Sequence, residues 1–269
     1  MKIKINGKEY LTNCSKLTDL KNSFYSTNKN IISIINGFQT EENVSVKDDD
    51  EIFFIDKHKY PEKNELEEML CSRHTPNVHQ KIKNARVAVA GLGGLGSNIA
   101  VMLARTGIGT LHLVDFDTVD VSNLNRQHYF IPHLGIKKTD AIKQQIAQIN
   151  PFVKVICDSV KVDKKNCAEI FKDDGIVCEA FDRPEAKALL VNCLLESRND
   201  VYVIAASGMA GFDKSNSITT KIVSEKFYIC GDGTSEAKQG CGLMAPRAGI
   251  CASHQANAVL RIILNKFEV

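Results

Sequence analysis

No two of the nine cysteines form a C-x-x-C pair, so the sequence offers no zinc clip of the usual tetrahedral spacing, and a structural zinc is not expected. They are odd in number and widely spaced, at positions 14, 71, 157, 167, 178, 193, 230, 241 and 251. That argues against a disulfide framework and for small buried hydrophobes. No stretch reads as a membrane span of roughly 18 apolar residues. The opening Met1-Lys2-Ile3-Lys4 alternates polar and apolar residues where a secretion signal would build an apolar run, so a cytoplasmic location is expected. Charge of one sign is not in excess either. The 34 Lys and Arg nearly balance 32 Asp and Glu, for a net charge of +2, which leaves no long basic face for nucleic acid or an anionic membrane. What the chain does have is 269 residues at 43% hydrophobic content, enough to bury one large core and one small one.

The first 56 residues read as strand, strand, helix, strand, strand. Met1, Ile3 and Ile5 alternate, Asn6-Gly7 is a strong hairpin signal, and Tyr10-Leu11 begins the return strand. Leu17, Leu20 and Phe24 recur at helical spacing behind Ser15 as a cap. Ile31 to Ile35 and Ile52 to Ile55 are apolar strands, the first ending at Asn36-Gly37 and the second following the acidic turn Asp48-Asp49-Asp50. A polar linker over 57–64 leads to a helix expected from Glu65 to Cys71. Beyond it strands and helices alternate. Arg86 to Ala90 is a buried strand, 97–105 a helix, Thr110 to Val114 a strand, Thr139 to Gln148 a helix, Pro184 to Ser197 another, and Val201 to Ala205 a further strand. This pattern predicts a doubly wound α/β sheet.

Gly91-Leu92-Gly93-Gly94-Leu95-Gly96 falls between the first buried strand and its helix. Glycines there permit a tight turn and let backbone N–H groups at the helix N-terminus approach phosphate. Asp115, about 20 residues on at the end of the next strand, is placed to hold ribose hydroxyls. To this point a NAD-dependent dehydrogenase fits equally well.

The stretch Asp115-Phe116-Asp117-Thr118-Val119-Asp120-Val121-Ser122-Asn123-Leu124-Asn125-Arg126-Gln127 resembles the signature of the ThiF/MoeB/HesA adenylating enzymes, relatives of the ubiquitin-activating enzymes. Gly135-Ile136-Lys137-Lys138, Glu179-Ala180-Phe181-Asp182, Ser207-Gly208-Met209-Ala210-Gly211 and Gly242-Leu243-Met244-Ala245-Pro246-Arg247 continue the likeness, the last three toward the branch that adenylates ThiS in thiamin biosynthesis. The resemblance implies Mg-ATP as cosubstrate, with Gly91, Gly93, Gly94, Gly96, Asp115, Asn123 and Gln127 around the nucleotide. It further implies Arg126 and Lys138 on the phosphates, Asp182 on magnesium, and a ubiquitin-like sulfur carrier ending in Gly-Gly as partner. Without that pattern Asp182 would be read as the N-cap of the helix opening at Pro184. Arg73 matches a family arginine that reaches the γ-phosphate of the neighbouring subunit, which implies a homodimer.

The N-terminal segment resembles the β-grasp fold of ThiS-type carriers, but Ile55 runs on into Asp56-Lys57-His58-Lys59 with no terminal Gly-Gly. A docking or packing module is therefore expected. The domains are expected at 1–57 (β-grasp), 58–80 (linker and helical segment) and 81–269 (ATP-binding adenylation domain). Three further readings remain open at this point: the same fold acting on a molybdenum-pathway carrier, a peptide or a tRNA nucleoside; a regulatory or scaffold protein; and the dehydrogenase. Cys230 and Cys241, flanked by Gly231 and Gly240, are candidates for a reactive thiol against the plainer reading of burial. Arg247 is read as a loop arginine that meets the carrier's tail or is solvated. His254 and Gln255 are assigned to packing on a C-terminal helix.

Overall fold

The computed structural model describes residues 1–25 and 30–269. They form two units, Met1–Gln80 and Lys81–Val269.

In the first unit β1 (Lys2–Ile5) turns through Asn6-Gly7 into β2 (Lys8–Leu11), followed by α1 (Leu17–Tyr25), β3 (Ile31–Ile35), β4 (Phe38–Gln39), β5 (Glu51–Asp56) and α2 (Lys63–Leu70). The turn residues take φ values of 47° and 79°, the left-handed conformation a two-residue hairpin needs. The sheet order is β2-β1-β5-β3-β4. β1 and β5 run parallel at its centre, while β2, β3 and β4 pair antiparallel. Ile3, Ile5, Leu17, Leu20, Ile52 and Phe54 meet in one core, because alternation along the strands and the three-residue step along α1 aim them at the same side. This is a β-grasp fold. The two-residue β4 has no apolar pattern of its own and is held by its pairing to β3.

Helix α3 (Val78–Lys83) leads into the second unit. There β6 (Arg86–Ala90), α4 (Gly96–Arg105), β7 (Thr110–Val114), α5 (Lys138–Ile149), β8 (Lys154–Asp158) and the short α6 (Cys167–Ile170) come first. They are followed by β9 (Ile176–Glu179), α7 (Pro184–Ser197), β10 (Tyr202–Ala206), β11 (Thr219–Ser224), β12 (Phe227–Gly231) and α8 (Ala245–Ile263). The sheet order is β11-β12-β10-β9-β6-β7-β8. Every neighbouring pair is parallel except the edge strand β11 against β12. The helices pack as two groups, α4 with α5 and α8, and α6 with α7, as helices on the two faces of such a sheet do. Val87, Val89, Leu111, Leu113, Val177 and Val203 are fully buried, the continuous apolar strands that a sheet covered on both faces requires. The uncharged run 87–104 is divided between β6, a glycine turn and α4, and among the described residues no helix is long and apolar enough to cross a membrane.

The chain order reverses between β6 and β9. From β6 it proceeds outward to β7 and β8, then returns to β9 and proceeds the other way. In open parallel sheets the crevice beyond the strand ends at such a reversal is where ligands bind.

Candidate nucleotide site at the strand reversal

The glycine turn closes the carboxyl end of β6 and is pinned from both neighbouring strands. The Gly91 N–H donates to Val114 O at the end of β7 (2.8 Å), and Ala180 N, just past β9, donates to Ala90 O (2.8 Å). Gly91 has φ of 91°, and a β-carbon on it would lie 2.8 Å from Ala180 O; one on Gly96 would lie 1.8 Å from Gly91 O. These two glycines are demanded by close backbone packing. Gly93 differs: a β-carbon there would meet nothing within 4 Å. At Gly94 the nearest atoms belong to the stem of Arg126, the closest 3.5 Å away.

Side chains of α4's first turn hold the loops. Ser97 Oγ donates to Gly93 O (2.7 Å) and accepts from the His128 N–H (2.9 Å). Asn98 Nδ2 donates to Gly94 O (2.7 Å) and to Arg126 O (3.3 Å). Tyr129, buried, donates its hydroxyl to Leu92 O (2.8 Å). Sequence reasoning passed over all three. Ser97 and Asn98 could have been found from their place directly after the last glycine, whereas Tyr129 reaches back from a separate loop and leaves no local signal.

Asp115 caps β7 and is buried. Its carboxylate accepts from the Leu92 N–H (2.6 Å) and the Asp117 N–H (2.8 Å). Burial raises its pKa, and those two amides together with the Lys138 charge hold the rise back. Lys138, the first residue of α5, is likewise buried and pairs with Asp117 at 3.0 Å. Its charge also reaches Asp120, whose pKa is lowered chiefly by the Ser122 hydroxyl bond. One cation thus stands among three carboxylates on a single crossover loop.

Asn123 is occupied locally. Its side chain bonds Asp120 through both Oδ1 (from Asp120 N, 3.2 Å) and Nδ2 (to Asp120 Oδ2, 2.8 Å), closing the one-turn 3-10 helix Val121–Asn123. Arg126 is half-buried and donates Nη1 to Ser122 O (2.9 Å) and Asn125 Oδ1 (2.8 Å). Gln127 is buried, and its Oε1 has no hydrogen-bond partner.

Across the reversal, Glu179 ends β9 fully buried, paired with Lys187 of α7 (3.0 Å) and accepting from the Phe181 N–H (2.7 Å). Gln255 of α8 bridges Glu179 O (3.0 Å) and Ile204 O (2.9 Å). Glu179 stands in the motif Glu179-Ala180-Phe181-Asp182, but its pairing with Lys187, eight residues on, left no signal in the sequence. Asp182 follows, exposed, and it does not cap α7, whose N-cap is Arg183 without a side-chain bond.

For the C-terminal part the readings of Arg247 and His254 change, while the plainer reading of Cys230 as a buried residue holds. Arg247 is neither in a loop nor solvated. It is 2% exposed in the first turn of α8, donating to the carbonyls of Asp213 and Lys214 (both 2.9 Å) and pairing with Asp232 at 2.5 Å. Cys230 is fully buried, and burial pushes its thiol up to about 11, which removes it as a nucleophile at neutral pH. His254 does more than pack, since its Nδ1 bonds the Thr220 hydroxyl at 2.9 Å. Arg73, exposed in the first unit, donates Nη2 to Gln39 Oε1.

Residues 67–269 match the ThiF family and residues 1–58 match the ThiS-like ubiquitin family. The chain belongs to the ThiF family. Among its relatives is an "adenylyltransferase and sulfurtransferase UBA4" of Vanderwaltozyma polyspora, 32% identical over 197 residues, which are 70% of this chain and 44% of the relative. Another is "adenylyltransferase and sulfurtransferase MOCS3" of Dictyostelium discoideum, 29% identical over 76% of this chain and 50% of the relative. The ThiF-family chain described here thus spans about half or less of the length of these curated relatives. In fold it is similar to the Escherichia coli tRNA N6-threonylcarbamoyladenosine dehydratase TcdA in complex with ATP, with TM-score 0.66 and 23% identity over 74% of this chain and 93% of that one. The E. coli MccB complex with ATP gives TM-score 0.54 and 24% identity over 70% and 58%.

Proposed function

We propose that this ThiF-family chain uses Mg-ATP to adenylate the C-terminal glycine carboxylate of a ubiquitin-like sulfur carrier, releasing pyrophosphate. The finer assignment is a ThiS-type carrier of thiazole synthesis. One observation carries the reading: at the strand reversal Asp115 accepts from the Leu92 N–H of the glycine turn, the Arg126 stem lies against Gly94, Lys138 pairs with Asp117, and Asp182 follows two residues after the Ala180 carbonyl that packs on Gly91.

The carrier carboxylate attacks the α-phosphorus of ATP, a new C–O–P linkage forms, and the bond to the bridging oxygen of pyrophosphate breaks. Attack brings like charges together, and the leaving group gains charge as it departs. A unit charge pair about 4 Å apart is worth about 4 kcal/mol at an effective dielectric near 20, so Lys138 and Arg126 are assigned to the phosphates. Lys138 is already held rigidly by Asp117, which makes it a preorganised donor. The open space beside half-buried Gly93 and the N-terminus of α4 suit phosphate oxygens. Asp115 is assigned to the ribose, and the unpaired Gln127 Oε1 to a nucleotide donor. Asn123 supports the turn that carries Arg126. Magnesium takes hard oxygen ligands and keeps several waters, and the exposed Asp182 carboxylate suits that role. When bound, the ion offsets phosphate charge.

Phe116, Val121, Phe130 and Ile131 are exposed on the crossover loop that carries these residues, a surface of the kind a protein substrate covers. The β-grasp unit lacks a Gly-Gly end and is assigned a docking or packing role. Incubation with Mg-ATP and candidate carriers ending in Gly-Gly should give carrier-dependent pyrophosphate exchange and an AMP adduct on the carrier. Exchange that ignores every carrier would overturn the reading.

A further inference from the structure

Cys71, His74 and His79 belong to none of the elements assigned to nucleotide chemistry. They come from one short stretch of the first unit. Cys71 is the C-cap of α2, His74 follows in a turn whose N–H donates to Cys71 O (2.8 Å), and His79 lies in the first turn of α3. Asn77, at φ 66°, reverses the chain between the two histidines. Each residue offers one ligand atom such that all three lie within 4.8 Å of one another, the one such group of three found among the described residues. On a tetrahedral ion, with metal–ligand bonds of about 2.0–2.3 Å, those atoms would stand about 3.3–3.7 Å apart. Side-chain rotations of about 1 Å close that gap.

The hydrogen-bond account of the histidines points the same way. His74 Nδ1 and both ring nitrogens of His79 are shielded from solvent without any hydrogen-bond partner. Buried polar groups nearly always have one. The loop is also braced. A β-carbon on Gly37, in the β3–β4 turn, would lie 2.7 Å from His74 O, so that hairpin sits directly against the ligand segment.

We propose that Cys71, His74 and His79 bind a divalent ion of the zinc class. A thiolate with two imidazoles suits borderline-soft metals and not magnesium or calcium. Binding converts the Cys71 thiol to thiolate and releases one proton to solvent. The fourth position falls to water or to Glu68, which lines the same cleft of about 350 Å³. An expectation of no zinc based on cysteine pairs does not bear on this set, whose C-x2-H-x4-H spacing draws on histidines. Arg73 lies inside the loop the ion would close.

The test is cobalt titration of the full chain after its metal has been removed with chelator. About one equivalent of Co2+ should bind, with the visible bands of a tetrahedral ion and a thiolate charge-transfer absorption, and Zn2+ should displace it. Cys71→Ser should abolish the charge-transfer band. The double variant His74→Ala/His79→Ala should weaken binding by more than the roughly 100-fold that loss of an outer-shell partner costs. Unaltered Co2+ binding in these variants, or no stoichiometric binding by the wild-type chain, would overturn the site. Should the variants fail to fold, alkylation of the wild type mapped by mass spectrometry decides: Zn2+ must protect Cys71 selectively, and equal labelling with and without Zn2+ refutes the proposal.

Discussion

Gly93 and Gly96 stand three residues apart and answer opposite demands. A methyl group on Gly96 would overlap the Gly91 carbonyl, whereas one on Gly93 meets open space. Gly96→Ala should therefore destabilise the fold by about 1–3 kcal/mol in urea denaturation. Gly93→Ala should leave stability within about 0.5 kcal/mol yet raise the KM for ATP, because it obstructs backbone approach to phosphate. Equal stability losses would show that the turn makes no distinction between fold and ligand. Lys138→Ala should lose roughly 10²–10³ in turnover, the scale for one preorganised electrostatic contact. A melting curve run alongside separates that loss from unfolding, since Lys138 is buried against Asp117. Near wild-type adenylation would remove the assignment. At this scale the sequence was legible where a residue's task is local. The glycine spacing and the acid ending β7 could be read directly. Arg247 could not, since its partners Asp213 and Asp232 lie far back in the chain and meet it only in three dimensions.

Among the elements, α8 depends on a charged anchor at its first turn. Burial alone would raise the Asp232 pKa, but the N–H groups of Ser235 and Thr234 and the Thr234 hydroxyl hold the carboxyl at about 2, beside buried Arg247. A folded-state pKa below the unfolded value of about 3.9 adds stability that is complete above that value and is lost as pH falls through the folded one. The contribution is on the order of 2 kcal/mol. Asp232→Asn, which leaves Arg247 uncompensated, should be destabilised by about 3–5 kcal/mol at neutral pH. The gap to wild type should narrow between about pH 4 and pH 2; a pH-independent gap in urea titrations would refute the anchor. Elements were legible where apolar period and glycine punctuation agreed, as in β6, α4 and β7. The β11–β12 pair was not. β11 is mostly exposed and bulged between Ile222 and Ser224, so its strand state comes from its partner and not from any pattern of its own.

For the molecule as a whole, the decisive proposal is that Arg73 acts on the nucleotide of a neighbouring copy. Mixing Arg73→Ala and Asp182→Ala chains should restore activity that neither has alone, up to about one quarter of wild type if subunits pair at random and one intact site per mixed pair is formed. No rescue, with mixed dimers demonstrated by tag pull-down, would place the arginine in cis. Both fold classes could be anticipated from element order, since the strand-strand-helix-strand-strand run and the later α/β alternation each admit few topologies. The order of strands across the reversal could not, because it is set by pairing between distant segments.

That pairing governs when the protein acquires its crevice. β6 and β7 can associate as soon as Val114 is made, but β9 joins β6 only after the chain has passed Ile176. Until then one wall is missing, and closing so long a loop is entropically slow. A nascent chain on the ribosome should therefore be blind to ATP until the residues from Ile176 to Glu179 have emerged, and nucleotide can stabilise only the form in which β9 has joined β6.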